Sequence, residues 1–284
     1  MPRIISRDTL YPKKLKRLAD SPRQLFMDGD CGLLNSPTPV LAVVGSRKTS
    51  AYGQVVTKQL VKEIAARGVI IVSGLAFGVD SLAHKATLEV GAKTIAVLPG
   101  GLDNIYPRNH IGLARQIVEK GGLLISEFPP KTDIFKHNFI ARNRIIAGLA
   151  DGILITEAAI KSGSLHTANF GLEIGLDIFA VPGPITNINS AGCNNLIKSG
   201  AKPVTEASDV LEALGLHKTA EKTEVIASNA NEHIVLSLIK QGVSDCEQLQ
   251  IKSKLEVIDF QQTISMLEIS GKIVNIGGGR WMLK

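Results

Sequence analysis

The sequence is poor in cysteine, in aromatic residues and in long apolar runs, and each shortage excludes a class of protein. Its 284 residues include three widely spaced cysteines and no Cys-x-x-Cys pair, which excludes a disulfide framework and favours a reducing cytoplasm. Apolar runs fall short of the roughly 18 residues of a membrane span, and the first residues lack a secretory signal. Aromatic residues make up only 4%, too few for an aromatic-rich β-sandwich.

The positive charge is concentrated in the first two thirds of the chain. The whole chain carries 32 Lys+Arg and 26 Asp+Glu. Residues 201–284 carry 9 and 11 of these, whereas the first 200 residues carry 23 and 15. An anionic partner is therefore expected to meet the first 200 residues. The charge alone favours nucleic acid only modestly, because many soluble proteins have a basic pI.

Six short apolar runs, rich in Val and Ile, alternate with helix-length segments between residues 41 and 215. Continuous apolar runs of this length are typical of strands buried on both faces of a parallel sheet. The runs cover residues 41–46, 69–74, 94–100, 122–128, 151–158 and 177–183. The repeated strand–helix units predict an α/β fold, an extended Rossmann-like doubly wound parallel sheet with helices on both faces.

The sequence divides into four segments. We expect residues 1–39 to form a short helical lead-in and residues 40–215 to form the Rossmann-like core, closed by a helix with Ser208 as its N-cap. Residues 216–230 are small, polar and mixed in charge, which indicates a linker. Residues 231–284 predict three helices and a β-hairpin, which suggest a small C-terminal winged-helix domain.

Loops that follow the strands carry glycine, serine and cations. In an open α/β sheet, ligands bind beyond the carboxyl ends of the strands. There, glycine lets the backbone approach a ligand, and Ser hydroxyls, free N–H groups and cations bind phosphate. The candidates are Gly45, Ser46 and Arg47 after the first strand, Gly100, Gly101 and Arg108 after the third, and Lys161, Ser162, Gly163 and Ser164 after the fifth. With the loop at 73–80, four such loops at one edge suit a polymer of phosphates better than a single nucleotide.

The segment before the fifth strand contains an aromatic residue as well as cations. Lys136, Phe139, Arg142 and Arg144 lie within nine residues. Proteins that bind single strands need cations along the backbone and a flat ring on which a base stacks. An interpretation in which Phe139 begins a core-facing helix and the arginines form a solvated face is equally compatible with the spacing.

Signals for an enzyme or a metal site are weak. The chain has no GxGxxG dinucleotide motif, no P-loop and no GxSxG elbow. Its six histidines show no HxxxH or HExxH spacing, so we predict neither a cofactor nor a metal. Asp80 and His84 share a helix face, which more often gives a local hydrogen bond than a catalytic dyad. Glu157 fits either a general acid or base in nucleotide cleavage or a residue that orders a loop.

Six motifs follow one another along nearly the whole chain. They cover residues 11–30, 43–53, 73–110, 139–151, 157–175 and 181–201, including VVGSRKTSAYG, FIARNRIIAGLAD and EAAIKSGSLHTANFGLEIG. Their succession resembles the DNA processing protein A family (DprA, also called Smf), bacterial mediators of recombination. The resemblance implies a core that binds single-stranded DNA, dimerises and loads the recombinase RecA onto the strand, with a role in natural transformation.

The same resemblance assigns roles to particular residues. It implies that Arg47 is the leading phosphate contact. The family's motifs fall on Gly45-Ser46-Arg47, on Lys136 with Phe139, on Arg142-Asn143-Arg144 and on Ser162-Gly163-Ser164. Residues 231–284 resemble the family's C-terminal winged helix. The additional N-terminal helical domain of some members is not expected here.

Two other functional classes compete with this interpretation. Rossmann-like phosphoribohydrolases carry PGGxGTxxE, whereas the corresponding stretch here is PGGLDNIYP, with no Glu at that spacing. This departure argues against phosphoribohydrolase chemistry, and nucleotide cleavage stays the alternative function. A pure interaction adaptor is disfavoured by the basic surplus and the four loops. The sequence thus predicts a cytoplasmic, non-enzymatic protein that binds single-stranded DNA with little base preference.

The predicted winged helix differs from the core in charge. From Val225 onward the chain carries 6 Lys+Arg and 6 Asp+Glu, whereas a helix that binds in a DNA groove normally needs a basic face. We expect isolated residues 225–284 to show no measurable affinity for duplex or single-stranded DNA at physiological salt in an anisotropy titration. We therefore expect this domain to serve mainly in protein contacts or regulation, and clear affinity for DNA would contradict that role.

Overall fold

The computed structural model describes residues 3–216, 227–275 and 277–283. They belong to two compact units that divide between residues 217 and 218, and each unit is described by itself. The linker expected at 216–230 lies mostly outside the described residues. The expected core at 40–215 falls within the first unit, and the expected winged helix within the second.

Among the described residues of the first unit, nine strands form one sheet. They are β1 (Arg3–Ile5), β2 (Gln24–Gly29), β3 (Val40–Val44), β4 (Ile70–Ser73), β5 (Thr94–Val97), β6 (Leu123–Ser126), β7 (Gly152–Ile155), β8 (Asp177–Ala180) and β9 (Lys202–Pro203). Their spatial order is β1-β2-β6-β5-β4-β3-β7-β8-β9. The strands from β3 to β9 pair in parallel, so the predicted parallel sheet is confirmed.

Helices cover both faces of this sheet. The α-helices of this unit are α1 (Ala51–Ala66), α2 (Val79–Glu89), α3 (Ile111–Glu119), α4 (Lys136–Leu149), α5 (Ser164–Glu173), α6 (Ala191–Lys198) and α7 (Ala207–Ala213). In β3, Leu41 and Val43 belong to the core under α1, α2 and α7, whereas Val40 and Val44 belong to the core under α4 and α5. Alternation along one strand therefore feeds two apolar cores, which confirms the doubly wound fold.

The start of α7 differs from the prediction. Glu206, not Ser208, is the N-cap residue, and it forms a capping box with Asp209. The Asp209 carboxylate accepts hydrogen bonds from the backbone N–H groups of Thr205 and Glu206. A carboxylate at the third helical position thus satisfies free N–H groups, which moves the helix start two residues upstream of the predicted cap.

The N-terminal segment also differs from the expected helical lead-in. It contributes β1 and β2 to the main sheet, together with two short 3-10 helices at Lys13–Arg17 and Cys31–Asn35. The antiparallel pairing of β2 with β6 covers what would otherwise be an exposed strand edge. In β2, Leu25 and Met27 are buried and alternate with more exposed residues. The alternation in burial is typical of a strand, whereas the residues Leu25-Phe26-Met27 are all apolar and show no such alternation in sequence.

The path of the chain creates a crevice at the centre of the sheet. From β3 the chain moves outward through β4, β5 and β6, and it then returns across the sheet to β7 on the other side of β3. The loops after β3 and β7 therefore diverge at the carboxyl edge. Such a topological switch point is where ligands bind in open α/β sheets.

The described part of the second unit consists of three helices and a hairpin. They are α8 (Ala230–Lys240), α9 (Cys246–Ser253), α10 (Val257–Ile269), β10 (Ile273–Asn275) and β11 (Trp281–Leu283). Leu236, Leu249, Phe260 and Trp281 form part of its own apolar core. Consecutive glycines at 277–279 have positive φ angles, which glycine adopts without steric cost in a tight turn. The elements match the predicted set, and the assignment as a winged helix stays a prediction.

Candidate nucleic-acid interface

A cleft of about 780 Å³ lies at the switch point between β3 and β7. Its walls are the loop after β3, the first turns of α4, and the loop from β7 into α5. It gathers ten of the residues that the sequence singled out: Gly45, Ser46, Arg47, Lys136, Phe139, Arg142, Lys161, Ser162, Gly163 and Ser164. Arg47, Lys136 and Lys161 therefore share one cleft although more than 100 residues separate the first from the last.

The loop after β3 is held in place by Glu157. The backbone N–H of Ser46 donates to the Glu157 carbonyl at 2.7 Å. The Glu157 carboxylate accepts hydrogen bonds from the Ser50 N–H at 2.9 Å and from the Ser50 hydroxyl. Glu157 is 2% exposed, and a Cβ on Gly53 would lie 2.4 Å from its Oε2. Of the two roles that the sequence left open, the structure favours loop ordering, because both carboxylate oxygens are engaged.

The loop after β4 mainly supports the loop after β3. Gly78 has a positive φ of 75°, and a Cβ there would lie 2.1 Å from the Ser46 carbonyl oxygen. The Val79 N–H donates to that same carbonyl at 3.1 Å. Only glycine combines this φ with such close packing. The loop at 73–80 thus fixes the position of Arg47, and only its Ala76 and Asp80 line the cleft.

Phe139 belongs to the cleft and not to the core under α4. Its ring is half-buried, and the guanidinium carbon of Arg47 lies 4.8 Å from the ring centroid. Tyr106 packs edge-to-face against the same ring, with centroids 5.7 Å apart. The core contacts of α4 come from Ile145 and Ile146 instead. The cationic and aromatic groups therefore meet in the cleft, as single-strand binding requires.

Arg142 forms part of the floor of the cleft and is not a solvent-facing contact as predicted. Its guanidinium donates to the carbonyl oxygens of Gly74 and Val97, at the ends of β4 and β5. The side chain is buried, and burial lowers its pKa to about 10. Burial also raises the pKa of Asp80, although Arg142 opposes that shift. Arg142 thus satisfies strand-end carbonyls beneath the cleft, and a bound phosphate would meet Arg47 or the lysines first.

Arg144 lies outside the cleft, which corrects its predicted role. Its guanidinium donates to both carboxylate oxygens of Glu127 at 2.8 Å and to Asp20 at 3.1 Å. The residue is 7% exposed. Residues two positions apart on a helix point about 200° apart, so Arg142 and Arg144 cannot face the same cleft. Arg144 joins α4 to the N-terminal segment instead.

The loop after β5 also lies outside the cleft lining, apart from Tyr106. A Cβ on Gly101 would lie 2.0 Å from the Pro130 carbonyl, and one on Gly100 would lie 2.5 Å from the Ile134 side chain. These glycines therefore admit a neighbouring segment and not a phosphate. Arg108 lines a separate depression of about 300 Å³ together with Asp103 and other residues. The predicted roles of Gly100, Gly101 and Arg108 at a common site are not supported by this geometry.

The loop from β7 into α5 presents donors to the cleft. The Ser162 and Ser164 hydroxyls lie 2.8 Å apart and hydrogen-bond to each other. The α5 helix starts at Ser164. Its N-cap residue is Gly163, which has no side chain to cap the helix. The first N–H groups of a helix carry partial positive charge and favour anions. Exposed Lys161 adds a full charge at the same place.

Sequence reasoning missed several residues that line the cleft. They are Lys48, Tyr106, Asp80, Thr167 and Asn189, together with Asn143 of the quoted family motif. Lys48 directly follows Arg47, so its charge was a usable signal. Tyr106 and Asn189 come from connections whose paths only the folded chain determines. The Thr167 hydroxyl is buried and has no hydrogen-bond partner among the described residues.

Asp80 and His84 do not form a dyad. The His84 Nδ1 lies 2.7 Å from the Thr94 hydroxyl, which itself donates to the Ile71 carbonyl. Thr94 must then accept, so Nδ1 carries the proton. Burial lowers the pKa of His84 to about 3, which keeps the imidazole neutral. Among the described residues, no group of three acidic, His or Cys side chains could hold a metal ion, and none of their helices is long and apolar enough to cross a membrane.

Comparison with known proteins assigns the family. Residues 3–215 match the sequence model of a family described as DNA recombination-mediator protein A. The chain belongs to this family. Protein Smf of Escherichia coli K12 is 41% identical over 278 residues, which cover 95% of this chain and 74% of that protein. The match therefore extends beyond the first unit into the second.

Two solved structures of DNA processing protein A resemble the structure of this chain. The protein from Streptococcus pneumoniae is 42% identical with a TM-score of 0.70, over 74% of this chain and 73% of that one. The protein from Helicobacter pylori is 32% identical with a TM-score of 0.67, over 75% of this chain and 96% of that one. The second structure concerns the single-stranded DNA binding mode of the Helicobacter pylori protein.

The structural role of Arg144 gives a testable prediction. The substitution Arg144→Met leaves the Glu127 carboxylate without its ion-pair partner, so the free energy of unfolding should fall by about 1.5–3 kcal/mol in urea denaturation. The affinity of the folded protein for a dT16 oligonucleotide should not change. The same substitution at Arg115, an exposed residue of α3, should leave both quantities unchanged. Lost affinity at unchanged stability would return Arg144 to the DNA-binding residues.

Proposed function

We propose that the protein binds single-stranded DNA in the cleft at the β3–β7 switch point and loads RecA onto the bound strand. It then acts in the cytoplasm as a recombination mediator in DNA uptake and natural transformation, as a homodimer and without enzymatic activity. The observation that carries the proposal is the convergence of Arg47, Lys136 and Lys161 around the ring of Phe139 in one cleft.

The position of the ring supports an unpaired strand as the ligand. Phe139 lies half-buried inside the cleft beneath Arg47, where the paired bases of a duplex could not reach it. An unstacked base can turn toward the ring while its phosphate stays with the cations of the rim. The cleft is thus better suited to single-stranded than to double-stranded DNA.

The donors of the cleft support binding with little base preference. Arg47, Lys136 and Lys161 are the kinds of groups that bind phosphate oxygens. Contacts with phosphate position a strand but carry no sequence information. Stacking on Phe139 is also tolerant of sequence, because every base has a π-face.

The polar groups near the cleft support a protein without catalytic chemistry. The Glu157 carboxylate is engaged with Ser50, and His84 is buried and neutral. These groups are structurally occupied, and cleavage of a nucleotide requires an acid or base free to transfer a proton. Neither Glu157 nor His84 therefore lends support to the phosphoribohydrolase alternative.

The relatives of this chain also support the binding of single-stranded DNA. The family is described as a recombination mediator, and the Helicobacter pylori relative binds single-stranded DNA. The motifs of this chain that resemble the family also build the cleft, since the loops at 45–47 and 162–164 both line it. The agreement between similarity and geometry favours transfer of the binding function to this chain.

A RecA assembly assay tests the whole proposal. The protein should accelerate RecA filament formation on a single-stranded DNA circle, whereas Arg47→Ala should lose most of this effect because the strand is held less tightly. Incubation with nucleoside monophosphates should release no free base. Unchanged RecA assembly would contradict the mediator role, and release of base would support the enzyme alternative.

Arg47→Ala should weaken binding of dT16 by about 1.5–3 kcal/mol, because one charged hydrogen-bonding group is lost. If about four phosphates are neutralised, log K of the wild type should fall with log salt with a slope of about −3, and the variant's slope should be less steep by about 0.7. Anisotropy titrations at several salt concentrations measure both. Arg67→Ala, an exposed arginine at the other end of α1, is the matched control. Equal affinity of Arg47→Ala and wild type would remove this loop from the site.

Phe139→Ala should weaken binding by about 1–3 kcal/mol, because a base loses the ring on which it stacks. Phe139→Leu keeps apolar volume without a flat ring and should behave in the same way. The free energy of unfolding should change little, since the ring is half-buried in the cleft. If stability falls while affinity per folded molecule holds, Phe139 is a core residue and the stacking role is wrong.

A further inference from the structure

Two rings lie beside the cleft, and the binding mode described above does not use them. Phe135 and His137 are stacked with an angle of 5° between their planes and 5.7 Å between their centroids. Phe135 is 55% exposed, and His137 is also exposed. Among the described aromatic residues, Phe135 has the largest exposed fraction, and its ring lies flat against a second exposed ring.

The backbone holds these rings in a defined position. Phe135 is the N-cap residue of α4, and His137 lies in the first turn of that helix. The Phe135 carbonyl accepts a hydrogen bond from the N–H of Asn138 at 3.1 Å, and Asn138 is 2% exposed. The pair is therefore preorganised, so that a ligand would lose little free energy in ordering it.

The pair is continuous with the cleft. Lys136, which lies between the two rings in sequence, lines the cleft. Phe135 is the N-cap residue, with an extended backbone (φ −111°, ψ 155°), and it directly precedes the first turn of α4, which begins at Lys136 and leads to Phe139. Aromatic groups thus run from Phe139 and Tyr106 inside the cleft to Phe135 and His137 outside it.

The surroundings identify the chemistry of the partner. Exposed Lys131, Asp133 and Lys136 lie within four residues of the rings in the sequence, so charged side chains accompany the rings. A cation next to flat rings is the combination that binds an unpaired nucleotide, with the cation on phosphate and the ring under the base. The nucleobase is therefore the occupant that these residues favour.

We propose, on the basis of the proposed function, that Phe135 and His137 form a second base-stacking site outside the cleft. This site takes a base of the single strand where the strand leaves the cleft beside Lys136. Asp133, two residues before Phe135, carries no ion pair among the described residues. Its exposed carboxylate repels the next phosphate, so the contact with the strand ends at these rings.

The test compares a short and a long oligonucleotide with the full chain. The wild type should bind dT4, which is short enough to lie in the cleft, and should bind dT16 more tightly. Phe135→Ala should lower the affinity for dT16 at least about fivefold, the lower end of a stacking contribution, and should leave the affinity for dT4 unchanged. Phe135→Tyr keeps a flat ring and should retain the wild-type affinity, whereas Phe135→Leu should behave as Phe135→Ala.

A second exposed Phe–His pair serves as the matched control. Phe77 is 43% exposed, and its ring packs edge-to-face against His110 with centroids 5.0 Å apart. Phe77→Ala should bind both oligonucleotides as the wild type does. An equal loss of affinity in the Phe77 and Phe135 variants would overturn the proposal, because the effect would then not be specific to the stacked pair.

The remaining outcomes separate this proposal from the proposed function. If the wild type binds dT16 and Phe135→Ala binds it equally well, the second site is overturned while the cleft stands. If the substitution Phe135→Ala lowers the affinities for dT4 and dT16 by the same factor, the ring acts on the cleft itself and no second site exists. If the wild type binds neither oligonucleotide, the proposed function fails and this proposal fails with it.

Discussion

The buried Glu157 carboxylate holds the candidate site together. It accepts hydrogen bonds from the backbone and hydroxyl of Ser50, and its own carbonyl accepts from Ser46. These contacts join the loop after β3 to the end of β7, on the two sides of the topological switch point. Without this link, the loops that carry Arg47 and Lys161 would diverge with no fixed separation. A buried carboxyl group behind the cleft therefore sets the geometry of a site whose ligand-facing groups include three cations.

The sequence predicts the strands best because their signal is local. Apolar runs such as 69–74 and 151–158 are short, rich in Val and Ile and bounded by turn residues, and a strand buried on both faces requires that pattern. The N-terminal segment was expected to be a helical lead-in, whereas it contributes two strands to the sheet. Its strand β2 depends on pairing with β6, almost 100 residues away, and a non-local contact of this kind leaves little trace in the local sequence.

The residues of the site were predicted from residue type and spacing. The predictions that differ from the structure do so for a geometric reason. Arg142 and Arg144 look equivalent in sequence, yet their spacing on a helix sends one to strand-end carbonyls and the other to Glu127. Gly100 and Gly101 look like phosphate-binding glycines, but they make room for the segment around Pro130. Glycine and arginine serve packing as readily as binding, and only neighbours brought by the fold distinguish the two uses.

Both margins of the main sheet are closed to further strands. At one margin β1 has three residues, and at the other β9 has two, one of which is Pro203. Proline has no backbone N–H to offer, and such short edges give an incoming strand little to pair with. Self-association by β-augmentation is thereby disfavoured. Contacts of the first unit with another copy would then use side chains on helices and loops, so that the main sheet is not extended from one copy into the next.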